Sequence, residues 1–310
     1  MRGYIGNTDF DWYEFLRARS PLEEVNFWLP SGRNMLRIEP GTPFFFKLKK
    51  PHYAIGGFGV VARAEVLPAW LAWDSFGIAN GASTFPTMRR RIEKYRESNE
   101  ADLAGDYAIG CVMISSPTFF PKESWIPQPV DWKANNVRGE YYDLVSGEGQ
   151  RVFAECLDRA TGSEVATAIT LLKDPAPRYG TPSLVAPRLG QGTFRIAVTD
   201  AYGRACSVTG EHSLPVLEAA HIRPYSEDGP HAVANGLLLR SDLHRLFDRG
   251  YVTVTPDLRF EVSRRLREDF SNGRSYYPLQ GNPISVPPES DLQPRPDFLR
   301  YHNEDVFLAS

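Results

Sequence analysis

The chain reads Glu218-Ala219-Ala220-His221-Ile222-Arg223-Pro224 in its second half, then Asn235-Gly236, and then Leu243-His244-Arg245-Leu246-Phe247-Asp248-Arg249-Gly250. These segments place His221, Asn235 and His244 close together in the sequence, in that order. Three polar side chains at this spacing can hold one divalent cation against a phosphodiester and activate a water molecule beside it. The pattern therefore predicts metal-assisted hydrolysis of a phosphodiester.

The residues around these side chains predict a β-hairpin followed by a helix. Leu214 to Ile222 has the composition of a strand, and the run of leucines between Asn235 and Arg240 predicts a second strand. Ser241 is a favourable N-cap for the helix that follows. His244 and Asp248 stand four residues apart and therefore share one face of that helix. We expect both side chains to bind the cation.

The expected cation is Mg²⁺, Mn²⁺ or another divalent ion, with one ion in each active site. A hard cation of this kind accepts carboxylate, imidazole and water ligands together, so few protein ligands suffice. His221, neutral for much of the time near pH 7, is the expected general base for the attacking water. The alternative is a pair of ordinary core histidines, but the joint pattern argues against it. His52, His212 and His231 lack such support, and we expect them on the surface or in loops.

These segments resemble the HNH endonuclease family and, within it, the McrA-like branch that lacks zinc-binding cysteines. The resemblance runs from about Gly190 to the end of the chain. It includes Cys206-Ser207-Val208-Thr209-Gly210 and Phe298-Leu299-Arg300-Tyr301-His302-Asn303. It implies a ββα-metal nuclease domain that hydrolyses phosphodiester bonds in DNA.

The resemblance also implies roles for individual residues. They are His221 as general base, Asn235 as the brace of the hairpin loop, and His244 and Asp248 as metal ligands. The chain departs from the family at Ala220, where many members carry a metal-binding His or Asp. Glu218 lies two residues earlier on the same strand face and could replace that ligand, or a water molecule could fill the position.

The composition limits the class of protein. With 310 residues, 42% hydrophobic and 12% aromatic, the chain can form two domains with real cores. Its net charge of −3 is an average and does not exclude DNA binding, which needs only a local basic face. The three cysteines are isolated, which indicates neither a zinc ribbon nor a disulfide framework. Because no signal peptide or membrane-length apolar run is present, we expect a soluble protein of the prokaryotic cytoplasm.

The pattern along the chain predicts two domains of an α+β protein. A stretch rich in proline and glycine at 158–189 predicts a linker between a domain at 1–157 and a domain at 190–310. In the second domain, Gln191 to Arg204 is expected to be an amphipathic helix with Phe194, Val198 and Tyr202 on one stripe. In the first, the expected elements are strands at 43–49, 59–66 and 107–114, a turn at Gly56-Gly57, and a helix at 85–97.

The first domain resembles the PUA-like superfamily, which includes the EVE, ASCH and SRA domains. The resemblance rests on Tyr4-Ile5-Gly6, on the stretches 40–46 and 57–61, and on Ala72-Trp73-Asp74. It implies a β-barrel-like domain that binds a flipped or modified base between aromatic side chains. Trp28 and Trp73 are the expected base-binding residues, because each lies beside loop-forming or polar residues. For any single tryptophan, a place in the core is the commoner alternative.

Three arginines are candidate contacts to the DNA backbone. Arg89 and Arg90 belong to a basic run that could track phosphates, although a solvated helix face is the commoner explanation for such a run. Arg223 lies two residues after His221. The expected partner is double-stranded DNA that carries modified bases. The sequence is compatible with a homodimer but does not set the number of subunits.

Three functions are compatible with these features. The leading one is a modification-dependent restriction endonuclease in which the first domain reads a modified base and the second cuts. Alternatively, the first domain senses a small ligand or a partner and switches the nuclease on. The third is a non-catalytic DNA-binding protein, suggested by Ala220.

Overall fold

The computed structural model describes residues 1–33, 35–96, 104–160 and 189–309. The chain divides into two compact units, Met1–Thr193 and Phe194–Ser310. Most of the predicted linker, residues 161–188, lies outside the described residues, and a helix continues through Arg159 at its start. The prediction of an α+β protein is confirmed. Within the described ranges, no helix is both long and apolar enough to cross a membrane.

The first unit is built on one mixed sheet. In this sheet β1 and β3 are parallel, and every other pair of neighbouring strands is antiparallel. The strand order is β2-β5-β4-β3-β1-β7, and the short β6 also pairs with β4. The elements are β1 (Arg2–Thr8), α1 (Phe10–Arg17), β2 (Glu24–Leu29), β3 (Pro43–Leu48), β4 (Ala54–Pro68), α2 (Ala69–Phe76), α3 (Phe85–Glu93), β5 (Ala108–Phe119), β6 (Ile126–Pro127), β7 (Gly139–Asp143) and α4 (Gly147–Arg159).

Among the described residues the sheet does not close, which corrects the expected β-barrel-like domain to an open sheet. Two register shifts interrupt the pairing of β4 with β5, and such bulges bend a strand and increase its twist. Within the described residues, β2 and β7 remain the two ends of the strand order. The bulges therefore give curvature without joining these two edges.

The phenylalanine run on β3 supplies both faces of the sheet. Phe44 and Phe46 are buried in one cluster with Trp12 of α1, whereas Phe45 is buried in a second cluster with Phe153 of α4. Successive side chains of a strand point to opposite faces. The run therefore lies under helices on both sides, which explains why it is apolar throughout.

The predicted turn at Gly56-Gly57 is wrong, because both glycines lie inside β4. The chain reverses earlier, between Leu48 and Ala54. A Cβ atom at Gly57 would lie 2.1 Å from the carbonyl oxygen of Thr118 on the neighbouring strand. The glycine is thus required for close strand approach, which the sequence pattern does not distinguish from a turn.

The helix predicted at 85–97 is shorter than expected. It ends at Glu93, with Met88 and Ile92 buried and Tyr95 exposed beyond its end. Thr84 caps it, because its hydroxyl accepts a hydrogen bond from the backbone nitrogen of Thr87.

The second unit packs a β-hairpin and several short elements around one hydrophobic core. Its elements are α5 (Gln191–Ala201), which begins in the first unit, then β8 (Leu217–His221), β9 (Gly236–Arg240), α6 (Ser241–Asp248), β10 (Val252–Val254), β11 (Phe260–Val262), α7 (Arg265–Phe270) and α8 (Pro296–Tyr301). The predicted stripe of Phe194, Val198 and Tyr202 is buried in this core.

Two details of the predicted hairpin and helix are corrected. The first strand begins at Leu217 rather than Leu214, since Pro215 lies in a 3₁₀ turn that precedes it. Ser241 is the first residue of α6 and makes no side-chain cap, because Arg240 occupies the N-cap position.

Candidate functional site

Asn235 holds the loop between β8 and β9 in place. Its Oδ1 atom accepts a hydrogen bond from the backbone nitrogen of Arg223 at 2.9 Å. Its Nδ2 atom donates to the carbonyl oxygens of Arg223 at 2.9 Å and Pro230 at 3.0 Å. The side chain is fully buried, so these bonds form in a dry environment and fix the end of the strand that carries His221.

His221 is held between an aromatic ring and a second histidine. Its ring stacks on Phe194 with centroids 3.9 Å apart, and its Nε2 atom lies 2.9 Å from Nδ1 of His231. Burial, and then the nearby His231 and His244, lower the pKa of His221 to about 4. At neutral pH the imidazole is therefore uncharged and able to accept a proton.

His231 is a residue that the sequence reasoning missed. It lies in a loop, as expected, but it is half-buried and contacts His221 directly. The ring of Tyr225 stacks on it with centroids 4.5 Å apart and an interplanar angle of 13°. The available signal is its position in the loop that Asn235 closes, ten residues after His221.

His244 lies between two carboxylates. Its Nδ1 atom is 2.7 Å from Oε2 of Glu218, and its Nε2 atom is 3.4 Å from Oδ2 of Asp248. Burial, partly offset by His244 and reinforced by Glu218, raises the pKa of Asp248. The structure thus brings together Glu218, His244 and Asp248 as one acid–imidazole–acid group.

This group has the donor chemistry of a divalent-cation site, since it combines two carboxylates with an imidazole. Here each ring nitrogen of His244 faces one of the two carboxylates, so the three side chains do not converge on one position. Accordingly, no set of three or more His, Cys, Asp or Glu side chains among residues 1–33, 35–96, 104–160 and 189–309 surrounds a common metal position. The residues fit a cation by their chemistry.

Ala220 and Arg223 both contribute to the frame of the site. Ala220 is fully buried in the hydrophobic core, so β8 reaches His244 through the side chain of Glu218. The Nε atom of Arg223 donates to the carbonyl oxygen of Glu227 at 2.5 Å, and its guanidinium lies 5.0 Å from the ring centre of Tyr301. Arg223 therefore also braces the hairpin loop.

The first unit contains a cleft of about 1360 Å³. Trp28 lines it, and its Nε1 atom donates to the carbonyl oxygen of Asn80 at 3.1 Å. Trp73 does not line it and packs instead near Phe85, with ring centroids 6.2 Å apart. Of the two predicted base-binding tryptophans, the structure places one in the cleft.

The cleft is strongly basic. Its described lining contains one acidic residue, Asp9, and six basic residues, Arg33, Lys47, Lys49, Lys50, Arg96 and Arg138. The run that contains Arg89 and Arg90 lies elsewhere. Arg89 pairs with Glu93 at 3.1 Å, and Arg90 donates to the hydroxyl of Thr87 at 3.3 Å.

Comparison with known proteins identifies part of the second unit. Residues 206–255 match the family described as HNH endonuclease, so an HNH endonuclease domain lies there and the resemblance is confirmed for this segment. The match includes β8, β9 and α6 with His221, His231, His244 and both carboxylates. None of the curated proteins matches the chain.

Solved structures show more distant likeness. The structure of the modification dependent TagI restriction endonuclease is 16% identical, over 93% of this chain and 77% of that chain, with a TM-score of 0.31. The structure of ASCH from Zymomonas mobilis is 13% identical, over 48% of this chain and 94% of that chain, with a TM-score of 0.31.

Proposed function

We propose that this protein is a DNA endonuclease whose first unit selects DNA that carries a modified base and whose second unit hydrolyses the phosphodiester bond. The observation that carries the nuclease proposal is that His221, held against Phe194 and His231, lies in the same domain as the group of Glu218, His244 and Asp248. A neutral base and a cation-binding group are the two parts that metal-assisted hydrolysis requires.

In this mechanism, the imidazole of His221 accepts a proton from the attacking water. The water oxygen forms a new bond to phosphorus, one ester P–O bond breaks, and the departing oxygen takes a proton from solvent. Asn235 keeps the strand end and the loop in register during this step. Glu218, His244 and Asp248 would hold Mg²⁺ or Mn²⁺, which supplies Lewis-acid stabilisation of charge on the phosphoryl group.

The cleft of the first unit supports the reader part of the proposal. Its basic lining suits a phosphate backbone, and the half-buried Trp28 offers a ring on which an extruded base can stack. Taking a base out of the duplex costs a few kcal/mol, which such contacts must return. A reader of this kind would let the nuclease spare unmodified DNA.

One digestion panel tests both parts. The full chain is incubated with Mg²⁺ or Mn²⁺ and with one plasmid prepared plain, cytosine-methylated, hydroxymethylated, glucosylated or phosphorothioated. We expect cleavage of one or more modified forms and sparing of the plain form. Equal cleavage of every form would refute the reader, and binding without nicking under any condition would instead favour a non-catalytic DNA-binding protein.

A further inference from the structure

Lys47 is a buried cation in the wall of the cleft. The residue is only 3% exposed, yet it lines the cleft. Its ammonium donates to Oδ1 of Asn7 at 2.9 Å and lies 4.7 Å from the ring centre of Trp132 and 5.6 Å from that of Tyr53. The Asn7 amide is itself fixed, because its Nδ2 atom donates to the carbonyl oxygen of Asn136 at 2.6 Å.

No carboxylate in the described part of the chain forms an ion pair with Lys47. The acidic residue of the cleft, Asp9, is 2.7 Å from the ammonium of Lys49 instead. Burying a charge without a counter-charge is costly, and burial together with the nearby Lys49 lowers the pKa of Lys47. An ammonium has three donors, and Asn7 accepts from one of them. The remaining donors are suited to an oxygen acceptor on a ligand.

The depth of Lys47 distinguishes it from the other cations of the cleft. Arg33, Lys50 and Arg138 are exposed and are placed to meet phosphates, which remain partly hydrated. Because Lys47 is buried, a group that contacts it must enter the cleft. In a nucleotide whose backbone stays outside, that group is the edge of the base.

We propose that Lys47 determines the specificity of the cleft by donating a hydrogen bond to a carbonyl oxygen on the edge of the inserted base. This inference rests on the proposed reader function. Cytosine, thymine and guanine carry such an oxygen and adenine does not. The inference therefore predicts that the cleft favours modified forms of oxygen-bearing bases over modified adenine, which has no carbonyl oxygen on its edge.

The test measures binding of the full chain, in EDTA to prevent cleavage, to one duplex in several forms. The forms are plain, modified at a single cytosine by methyl, hydroxymethyl or glucosyl, and methylated at N6 of a single adenine. For the wild type we expect at least tenfold tighter binding to one modified-cytosine duplex than to the plain duplex. The N6-methyladenine duplex should bind like the plain one.

Lys47→Met keeps the aliphatic stem and removes the charge. We expect it to bring the modified-to-plain ratio to within twofold of one while affinity for plain DNA changes little. Lys50→Gln is the matched control from the exposed cations of the cleft. It should weaken binding to the modified and plain duplexes equally and reduce the slope of log Kd against log salt by about one.

Asn7→Asp gives a second variant in case Lys47→Met does not fold. It supplies the ammonium with a carboxylate partner, so it should reduce the ratio. It also replaces the Nδ2 donor to the carbonyl oxygen of Asn136, so a moderate loss of thermal stability is expected. The role of Lys47 would be overturned by an unchanged ratio in a folded Lys47→Met or Asn7→Asp variant, or by a salt-slope change like that of Lys50→Gln. Neither result would refute the reader function. Tightest wild-type binding to the N6-methyladenine duplex would overturn the role of Lys47 too. A wild type that binds every form equally would instead refute the reader function.

Discussion

The Nε2 atom of His221 and the Nδ1 atom of His231 lie 2.9 Å apart, so the two imidazoles share a hydrogen bond within the HNH endonuclease domain. In a neutral pair, one of these nitrogens donates and the other accepts. His221 keeps a free acceptor, its Nδ1 atom, in the tautomer in which its Nε2 atom donates to His231, so the contact links the protonation of the two rings. Tyr225 stacks on His231 and limits rotation of its ring.

Replacing His231 should slow the chemical step without affecting substrate binding. We expect His231→Ala to reduce kcat for DNA cleavage by about 10- to 100-fold, the range seen when a supporting partner is removed, with KM nearly unchanged. His231→Asn should recover part of the rate, because its amide can occupy the place of Nδ1. Single-turnover cleavage across a pH series checks this, and a wild-type rate and pH profile in His231→Ala would exclude the positioning role.

Replacing His221 should abolish cleavage and leave the fold and DNA binding intact. A general base contributes about 10²- to 10⁴-fold to the rate, so His221→Ala is expected to lose at least the lower figure. The exposed His212 provides a control variant, His212→Ala, that should cut like the wild type. Plasmid nicking near the wild-type rate by His221→Ala would remove this residue from the mechanism.

The group around His244 predicts a graded loss of cation affinity. We expect His244→Ala, Asp248→Asn and Glu218→Gln each to weaken Mn²⁺ binding in calorimetry, since each removes one donor from a site with few protein ligands. Asp257→Asn, an exposed aspartate of the same unit, is the matched control. Unchanged affinity in Glu218→Gln alone would mean that water fills the position left by Ala220, and unchanged affinity in all three would refute the site.

The parts of the site that are close in sequence can be placed from local patterns, whereas their roles stay predictions. Local periodicity places His244 and Asp248 on one helix face, and the structure has them 3.4 Å apart. His231 was missed because its position depends on how Asn235 closes the loop through Pro230. A loop conformation set by buried side-chain hydrogen bonds leaves no periodic pattern in the sequence.

The cleft was predictable only in part, because its lining comes from distant segments. Trp28 was recognised from its neighbours, whereas Lys47 appeared to be one more residue of a strand. Its proximity to Asn7 and Trp132 follows from the parallel pairing of β1 with β3 and from the segment that precedes β7. Pairing of this kind is a tertiary property that single-strand composition does not specify.

The buried His302 should make stability depend on pH. Its Nε2 atom donates to the carbonyl oxygen of Phe247 at 3.0 Å, and its Nδ1 atom accepts from the hydroxyl of Thr253 at 2.8 Å, as the neutral ring requires. Burial lowers its pKa to about 4, from an ordinary value of 6.5. Below pH 6.5 the unfolded chain binds a proton that the folded chain does not, so stability falls as the pH drops towards 4.

Urea unfolding of the full chain at pH 7 and pH 5 measures this effect. We expect the urea concentration at the unfolding midpoint of the wild type to be lower at pH 5 than at pH 7. His302→Gln should be less stable at pH 7, because it loses the stacking of the imidazole on the ring of Phe247. Its midpoint should nevertheless decrease less between pH 7 and pH 5. His212→Gln should retain the wild-type decrease, and an equal decrease in His302→Gln would contradict the assignment.

Trp28 and Trp73 offer a matched pair for the reader, because the first lines the cleft and the second packs outside it against Phe85. Losing one stacking partner costs about 1–3 kcal/mol, so Trp28→Ala should remove most of the preference for a modified duplex over a plain one. Trp28→Phe should keep part of it, since a smaller ring remains. Trp73→Ala should lower the melting temperature of the protein and leave the preference intact.

Competition binding with the modified duplex found in the digestion panel gives the modified-to-plain ratio for each folded variant. If Trp73→Ala loses the preference while Trp28→Ala retains it, base reading occurs outside this cleft.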